Sequence, residues 1–342
     1  MKLGFGLITC ERFPGDPRSD QDLYTEALDL AALAEGVGLD SVWVSEHHFL
    51  DDAYLPSLLP MCAAIAARTE RVEVGTALLL APLYEPLRLA EDAAVVDLIS
   101  CGRLVLGLGL GWRAEEFEAL GVPPSERVAR LEDAVAVLRQ AWAGELVTGG
   151  AHRRYPRVPV TPAPAQPGGP PLWIGALTEP AIRRAGRIAD GFMATEVTPA
   201  SLAEQVAWAR EERAGAGGGP DELAIGVHLP TFPFLGDPDE AWERVRPHHH
   251  YVAWKYEDMD GARSRTGPPP AAPPLRPDEE ATLREGIVMG TPEEVADRIR
   301  ALDEAVGGGL HYIARLYWPG MDPGLQRDTL RLFGEAVAPL LR

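Results

Sequence analysis

Short apolar runs alternate with longer amphipathic stretches along most of the chain. Runs at 2–8, 41–45, 72–80, 104–110, 172–175, 191–194, 223–229 and 311–317 read as strands. Between them lie helical patterns at 21–36, 55–68, 85–99, 113–120, 127–142, 180–188, 202–213 and 291–306. In 21–36, Leu23, Ala27, Leu30, Ala31 and Ala34 recur at helical spacing, and Gly36 and Gly38 stop the pattern. In 127–142, Val128, Leu131, Val135 and Leu138 share one face. At 291–306, Thr291 is a good N-cap, Pro292 suits the first helical position, and Glu294 stands three residues after the cap. Strands alternating with helices imply parallel pairing through right-handed crossovers. Eight such units predict a closed (β/α)8 barrel, a TIM barrel, rather than an open doubly wound sheet. Residues 1–342 thus read as one barrel domain.

Two segments depart from a plain barrel. Residues 145–171, after the fourth strand and its helix, contain seven prolines and four glycines. They are too long for an ordinary connection and predict an excursion outside the barrel. Residues 230–289 lie between the seventh strand and the last helix, with Gly-Pro-Pro-Pro at 267–270 and Pro-Pro at 273–274. This insertion predicts a partly mobile lid near the mouth; the plainer reading is a surface loop.

Composition narrows the partners. The 342 residues carry 32 Lys+Arg against 51 Asp+Glu, a net charge of −19. That balance argues against nucleic acid and against anionic membrane surfaces. Cys10, Cys62 and Cys101 are odd in number and widely spaced, so they suggest neither a disulfide framework nor a metal quartet. The first apolar run meets Cys10-Glu11-Arg12 too soon for a signal peptide. No apolar run reaches the ~20 residues that cross a bilayer. The expectation is a soluble, cytoplasmic protein.

Catalytic groups of such barrels stand at the C-terminal ends of strands. Glu46-His47-His48 is the one dense titratable cluster at such a position. Neighbours on a strand face opposite ways, so Glu46 and His47 share the axis only if the chain turns there. Histidine near its ordinary pKa donates, accepts or stabilises charge; the alternative is a structural hydrogen bond to a loop. Two adjacent histidines rarely converge on one ion and no third ligand is evident, so no metal is expected.

On the fourth strand, Val105, Gly107, Gly109 and Gly111 share a face that is almost bare. Such a face admits a planar group or another backbone, or packs tightly on a neighbour. The spacing is not the G-x-G-x-x-G dinucleotide fingerprint. After the fifth strand, Gly175-Ala176-Leu177-Thr178 leads into a helix whose N-terminus, with the Thr178 hydroxyl, can hold a phosphate; Arg183 and Arg184 follow. His248-His249-His250 follows Pro247 in the irregular insertion and reads as a solvated or locally hydrogen-bonded run. Trp112, Phe13, Phe49, Tyr54, Phe232 and Trp254 are candidates to line an apolar pocket.

Five stretches together resemble the bacterial luciferase-like flavin-dependent monooxygenase superfamily. They are LDSVWVSEHHF (39–49), the run from VEVGTALLL to GLGLGW (72–112), FEALGV (117–122), LWIGALTEPAIRRAGRIADGF (172–192) and GTPEEVADRI (290–299). The Glu-His-His-Phe run and Asp97-x-x-Ser-x-Gly-Arg103 make the likeness specific. It implies a barrel that binds a flavin at its C-terminal mouth. His47 matches the family's active-site histidine. Ala77-Leu78 matches a non-proline cis peptide that supports the ring, and Leu177 and Thr178 match the stretch at ring edge and phosphate. Glu46, Gly109, Leu110, Gly175 and Ala176 complete the expected cofactor contacts. Arg127 lies near a phosphate-binding arginine. Luciferases place an arginine where this chain has Leu110, so Arg127, Arg183 or the helix N-terminus must meet the phosphate.

The Glu-His-His-Phe run is more similar to the FMN branch than to the deazaflavin branch. The resemblance therefore implies a two-component monooxygenase using reduced FMN and dioxygen on a small organic substrate. A separate flavin reductase would supply the reduced flavin, since this chain lacks a nicotinamide fingerprint. The alternatives are a deazaflavin-dependent oxidoreductase performing hydride transfer, and a non-catalytic, flavin-free subunit, against which His47 argues. Family members commonly pair through early helices, so 55–68 and 85–99 suggest a homodimer unless those faces only pack on the barrel.

Overall fold

The computed structural model describes residues 1–261 and 270–342. Eight parallel strands form the barrel: β1 Lys2–Ile8, β2 Ser41–Val44, β3 Glu73–Thr76, β4 Leu104–Gly109, β5 Leu172–Gly175, β6 Gly191–Ala194, β7 Ala224–Pro233 and β8 His311–Arg315. Each pairs with the next in chain order. β8 then returns to β1, with Lys2 opposite His311 and Gly6 opposite Arg315, which closes the cylinder. The helices that follow the strands are α1 Asp20–Gly36, α2 Leu58–Arg68, α3 Pro86–Ile99, α4 Arg127–Trp142, α5 Glu179–Ile188, α6 Pro199–Gly215, α7 Pro292–Ala305 and α8 Pro323–Leu332. A short helix, Ala114–Ala119, precedes α4. The α7 start carries the expected capping box, Thr291 with Glu294.

Three elements differ from the sequence reading. The expected strand 72–80 breaks after Thr76, and only Leu79–Leu80 rejoins the sheet, against β4. The excursion 145–171 contains a two-stranded antiparallel hairpin, Val147–Gly149 with Arg154–Val158. The insertion after β7 is largely helical, with helices Pro238–Gly261 and Pro277–Glu285. Pro247 lies inside the first of these helices. The apolar face explains the helix: Trp242, Val245, Val252 and Met259 recur every three, seven and seven positions and are all buried. Most of the proline run at 267–270 lies outside the described residues. The C-terminal α8 was not read from the sequence either.

The barrel interior is filled by Leu7, Trp43, Ala77, Val105, Trp173, Met193 and Ile313. Glycines make room for its two indoles. A β-carbon at Gly75 would lie 2.2 Å from the Trp43 ring, and one at Gly226 would lie 2.4 Å from Trp173. The ring centroids of Trp43 and Trp173 are 5.3 Å apart, and the His311 ring packs edge-on against both. Ser41 Oγ lies 2.6 Å from His311 Nε2 and accepts the Trp43 indole N–H at 2.8 Å. Burial is the main reason the His311 pKa falls to about 3, with smaller contributions from Lys2 and the N-terminal amine.

A neutral His311 gives a pH signature. The unfolded chain takes up the proton first, so this contribution is fully present above about pH 6.5 and is lost as pH falls toward about 3. Its slope in that window is about 1.4 kcal/mol per pH unit. Urea unfolding at a series of pH values should show a shallower dependence for His311→Asn than for the wild type; identical slopes would contradict it.

Candidate active site

β2 ends at Val44, and residues 45–48 leave the sheet. The alternation of strand side chains therefore stops, and Glu46 and His47 both line the cavity at the C-terminal mouth. His47 Nδ1 lies 3.0 Å from Glu116 Oε1, and the same oxygen accepts the His48 backbone N–H at 2.9 Å. Glu116 belongs to the short helix before α4 and is fully buried. A carboxylate on Nδ1 leaves Nε2 as the nitrogen available to the cavity. The rings of Tyr54, Trp112 and Tyr256 stand edge-on to the imidazole at 5.1, 5.7 and 5.6 Å. Nothing in the sequence separated Glu116 from its neighbours Glu115 and Glu118.

Glu46 is equally buried, and its oxygens are occupied. His48 Nε2 lies at 2.6 Å, the Tyr84 hydroxyl donates at 3.2 Å and the Leu80 N–H at 3.4 Å. Burial pushes the Glu46 carboxyl up despite these partners. Burial also opposes the charge on His48, but Glu46 outweighs it and raises that imidazole. The carboxylate thereby holds the segment after β3, which carries Ala77 and Leu78.

The Ala77–Leu78 peptide is cis, as the resemblance implied; Gly6–Leu7 is a second cis peptide that it did not anticipate. The bare face of β4 is filled from within the protein. A β-carbon at Gly107 would meet the Thr76 carbonyl at 2.0 Å, and one at Gly109 would meet Leu78 Cβ at 3.1 Å. One at Gly175 would lie 2.1 Å from Leu78 Cδ1. The neighbouring chain, not open space, occupies the room that these glycines leave. Leu78, Gly109, Leu110, Gly175, Ala176, Leu177 and Thr178 nonetheless all border the cavity, as does Arg127.

Arg127 stands at the start of α4, with Nη1 3.4 Å from the Gly111 carbonyl. Thr178 is the N-cap of α5 but makes no side-chain cap bond, so its hydroxyl is left for other work. Arg183 does not reach the site: it is held by Glu179 and Glu211 outside the cavity lining, and Arg184 pairs with Glu132. Of the six aromatic candidates, Trp112 and Trp254 line the cavity and Tyr54 backs His47. Phe13 packs on His248 and Tyr251, Phe49 on His48, and Phe232 belongs to a separate cluster with Trp242 and Trp318. His248 and His249 bond to the Pro319 and Leu283 carbonyls. Among the described residues, no group of three or more His, Cys, Asp or Glu is placed to hold a metal, and no helix is long and apolar enough to cross a membrane.

The cavity measures ≈ 1470 Å³. Tyr256, which covers its His47 side, comes from the insertion helix Pro238–Gly261. The preceding residue, Lys255, is buried and pairs with both Glu11 and Asp52. Its ammonium lies 4.6 Å from the Tyr54 ring centroid. Burial works against that charge, but the two carboxylates outweigh it and raise the lysine pKa. Thr9 Oγ1 donates to Glu11 at 3.0 Å, and Asp52 accepts the Tyr54 N–H at 3.1 Å. This knot ties the insertion to the loops after β1 and β2.

Residues 3–308 match the luciferase-like monooxygenase family, and the chain belongs to that family. It is an oxidoreductase of this class. An F420-dependent glucose-6-phosphate dehydrogenase of Nakamurella multipartita is 34% identical, over 97% of this chain and 96% of its own. The oxygenase component of a flavin-dependent trigonelline monooxygenase from Acinetobacter baylyi is 29% identical, over 51% of this chain and 49% of its own. Among solved structures, the monooxygenase RslO1 of Streptomyces bottropensis superposes with a TM-score of 0.84 at 26% identity, covering 99% of each chain.

The Lys255 knot yields a stability test. Lys255→Met leaves two buried carboxylates without their cation, which costs about 3–5 kcal/mol. Urea unfolding should register that loss, and Tyr256 should withdraw from His47. A variant as stable as the wild type would show that the knot does not hold the insertion.

Proposed function

We propose that this protein is the oxygenase of a two-component monooxygenase that uses reduced FMN and dioxygen on a small organic substrate. The observation that carries this reading is the charge of the cavity. Arg127, Thr178 and the start of α5 line the cavity, and no lysine is among the lining residues. Glu196, Glu257, Asp278, Glu279 and Glu285 also line the mouth, together with Arg298 and Arg315. One terminal phosphate, as in FMN, suits a single guanidinium beside the Thr178 hydroxyl and the positive end of the α5 dipole. The longer, multiply anionic tail of a deazaflavin such as F420 would meet a lining with more carboxylates than guanidiniums. The volume also fits: pockets for one drug-sized ligand measure about 300–1,000 Å³, so ≈ 1470 Å³ leaves room for a substrate beside a flavin.

Bound reduced flavin would supply the electrons that activate dioxygen. The chain supplies the setting. Leu78, Ala176 and Leu177 give apolar support for a ring, while Arg127 and Thr178 hold a phosphate. Trp112, Tyr54 and Tyr256 keep water from His47. Glu116 on Nδ1 fixes the ring, so that Nε2 accepts or delivers a proton at the cavity. The electrons would come from a separate flavin reductase. The outward face of α3 exposes Val95, Leu98 and Ile99, while Leu89, Ala93 and Val96 face the core. That apolar face supports the homodimer reading.

A second reading, deazaflavin-dependent hydride transfer, is favoured by the F420-dependent relatives, which span nearly the whole chain. Parallel anaerobic titrations with reduced FMN and F420, followed by tryptophan fluorescence, separate the two. Tighter FMN binding is expected, and tighter F420 binding would transfer the conclusion to the second reading. On mixing the FMN complex with oxygen, oxidised-flavin absorbance should return after a delay. His47→Ala should shorten that delay by about tenfold or more. No delay in the wild type would overturn the oxygenase assignment.

A further inference from the structure

The side of the cavity opposite the flavin cradle has chemistry of its own. Arg315 is the last residue of β8, in register with Gly6 on β1 and Pro230 on β7, and it lines the cavity half-buried. Among the described residues, no carboxylate lies within ion-pair distance of its guanidinium. The other two arginines of the lining each have an acceptor, Arg127 the Gly111 carbonyl and Arg298 the Ile287 carbonyl. What Arg315 does have is the face of Tyr256, 5.8 Å from its guanidinium carbon. In a chain with 51 acidic and 32 basic residues, such a cation is not the by-product of a basic surface.

We propose that Arg315 anchors the substrate, and that the β6–β8 side of the cavity takes an aromatic carboxylate. Arginine's planar fork matches a carboxylate with two parallel hydrogen bonds, and a partly dehydrated guanidinium gains most from such a partner. Two uncharged polar side chains share this side of the cavity. Thr195 Oγ1 lies 3.4 Å from His228 Nδ1, and both residues line the cavity. Burial, reinforced by Arg315 itself, keeps His228 neutral, with its pKa lowered to about 3. Tyr256 provides the surface for a flat ring, bordered at 33° by Trp112 from the loop after β4, and each stands edge-on to His47. An acid held by Arg315 therefore presents its ring toward the imidazole. The cofactor contacts come from the loops after β3, β4 and β5, across the closed barrel from β7 and β8. That separation assigns Arg315 to the substrate rather than to the flavin phosphate. The inference deepens the oxygenase reading and rests on it for where the flavin lies.

Calorimetric titrations of the flavin-free protein with 1-naphthoate and with 1-naphthalenemethanol test it. The acid should bind about tenfold tighter than the alcohol. Arg315→Met should abolish the preference, Arg315→Lys should keep part of it, and the Arg315→Met affinity for FMN should change by less than about twofold. Thermal melts of both variants verify that they fold. Equal binding of the two probes to the wild type would overturn the proposal. So would a preference that survives Arg315→Met, or a loss of FMN binding that parallels the loss of naphthoate. Since no flavin is present in the probe titrations, a failure of FMN to bind would count against the oxygenase reading and not against this subsite.

Discussion

Three absent β-carbons shape the floor of this cavity. Gly107 and Gly109 on β4 and Gly175 on β5 leave a hollow that Thr76 and Leu78 fill from the neighbouring strand. Any side chain at Gly107 or Gly175 would strike backbone or the Leu78 methyls at about van der Waals half-distance, at 2.0 and 2.1 Å. The chain after β3 can therefore press inward only because its neighbours are bare. Glu46 grips the same segment from its other side through Leu80 and Tyr84. Packing and hydrogen bonding thus converge on one loop, and the position of Leu78 under the cavity follows from both.

Around this floor the protein buries charge in a few closed groups. Glu116 serves His47 and the His48 backbone; Glu46 serves His48 and Tyr84; Lys255 answers Glu11 and Asp52 together. Buried ion pairs add little net stability over apolar packing, but breaking one is costly. Their effect is to specify position. The Lys255 knot is the clearest case, because it joins an inserted helix to the loops after β1 and β2, one residue before the Tyr256 that packs on His47.

The resulting cavity has two unlike halves. The β3–β5 side offers apolar support, one guanidinium and a helix N-terminus with an uncommitted threonine hydroxyl. The β6–β8 side offers a guanidinium over an aromatic ring, beside a neutral imidazole and a hydroxyl. His47 stands between them, on β2's exit. A barrel permits this division because its strand ends form a ring, so contacts from distant parts of the chain face one another across a few side chains.

The strands of the barrel and its helices up to α7 were legible because burial imposes a period on the sequence. Ala27, Leu30, Ala31 and Ala34 mark α1, and the short apolar runs mark β1 through β8, since strands covered on both faces tolerate few polar residues. His47 and the Gly175–Thr178 turn were legible for a related reason: they sit at strand ends, which the same period locates, whereas Arg127 stood out only through the family resemblance. The helix 238–261 was obscured by Pro247 and three histidines, although its apolar spacing was present. Glu116, Tyr256, Lys255 and Arg315 had no local mark at all. Their importance lies in partners 69, 202, 244 and 59 positions away along the chain, namely His47, Tyr54, Glu11 and Tyr256. Sequence alone determined the architecture, because periodicity is a local record of burial. Only the tertiary structure decided which charges meet, because closing the barrel sets those distances.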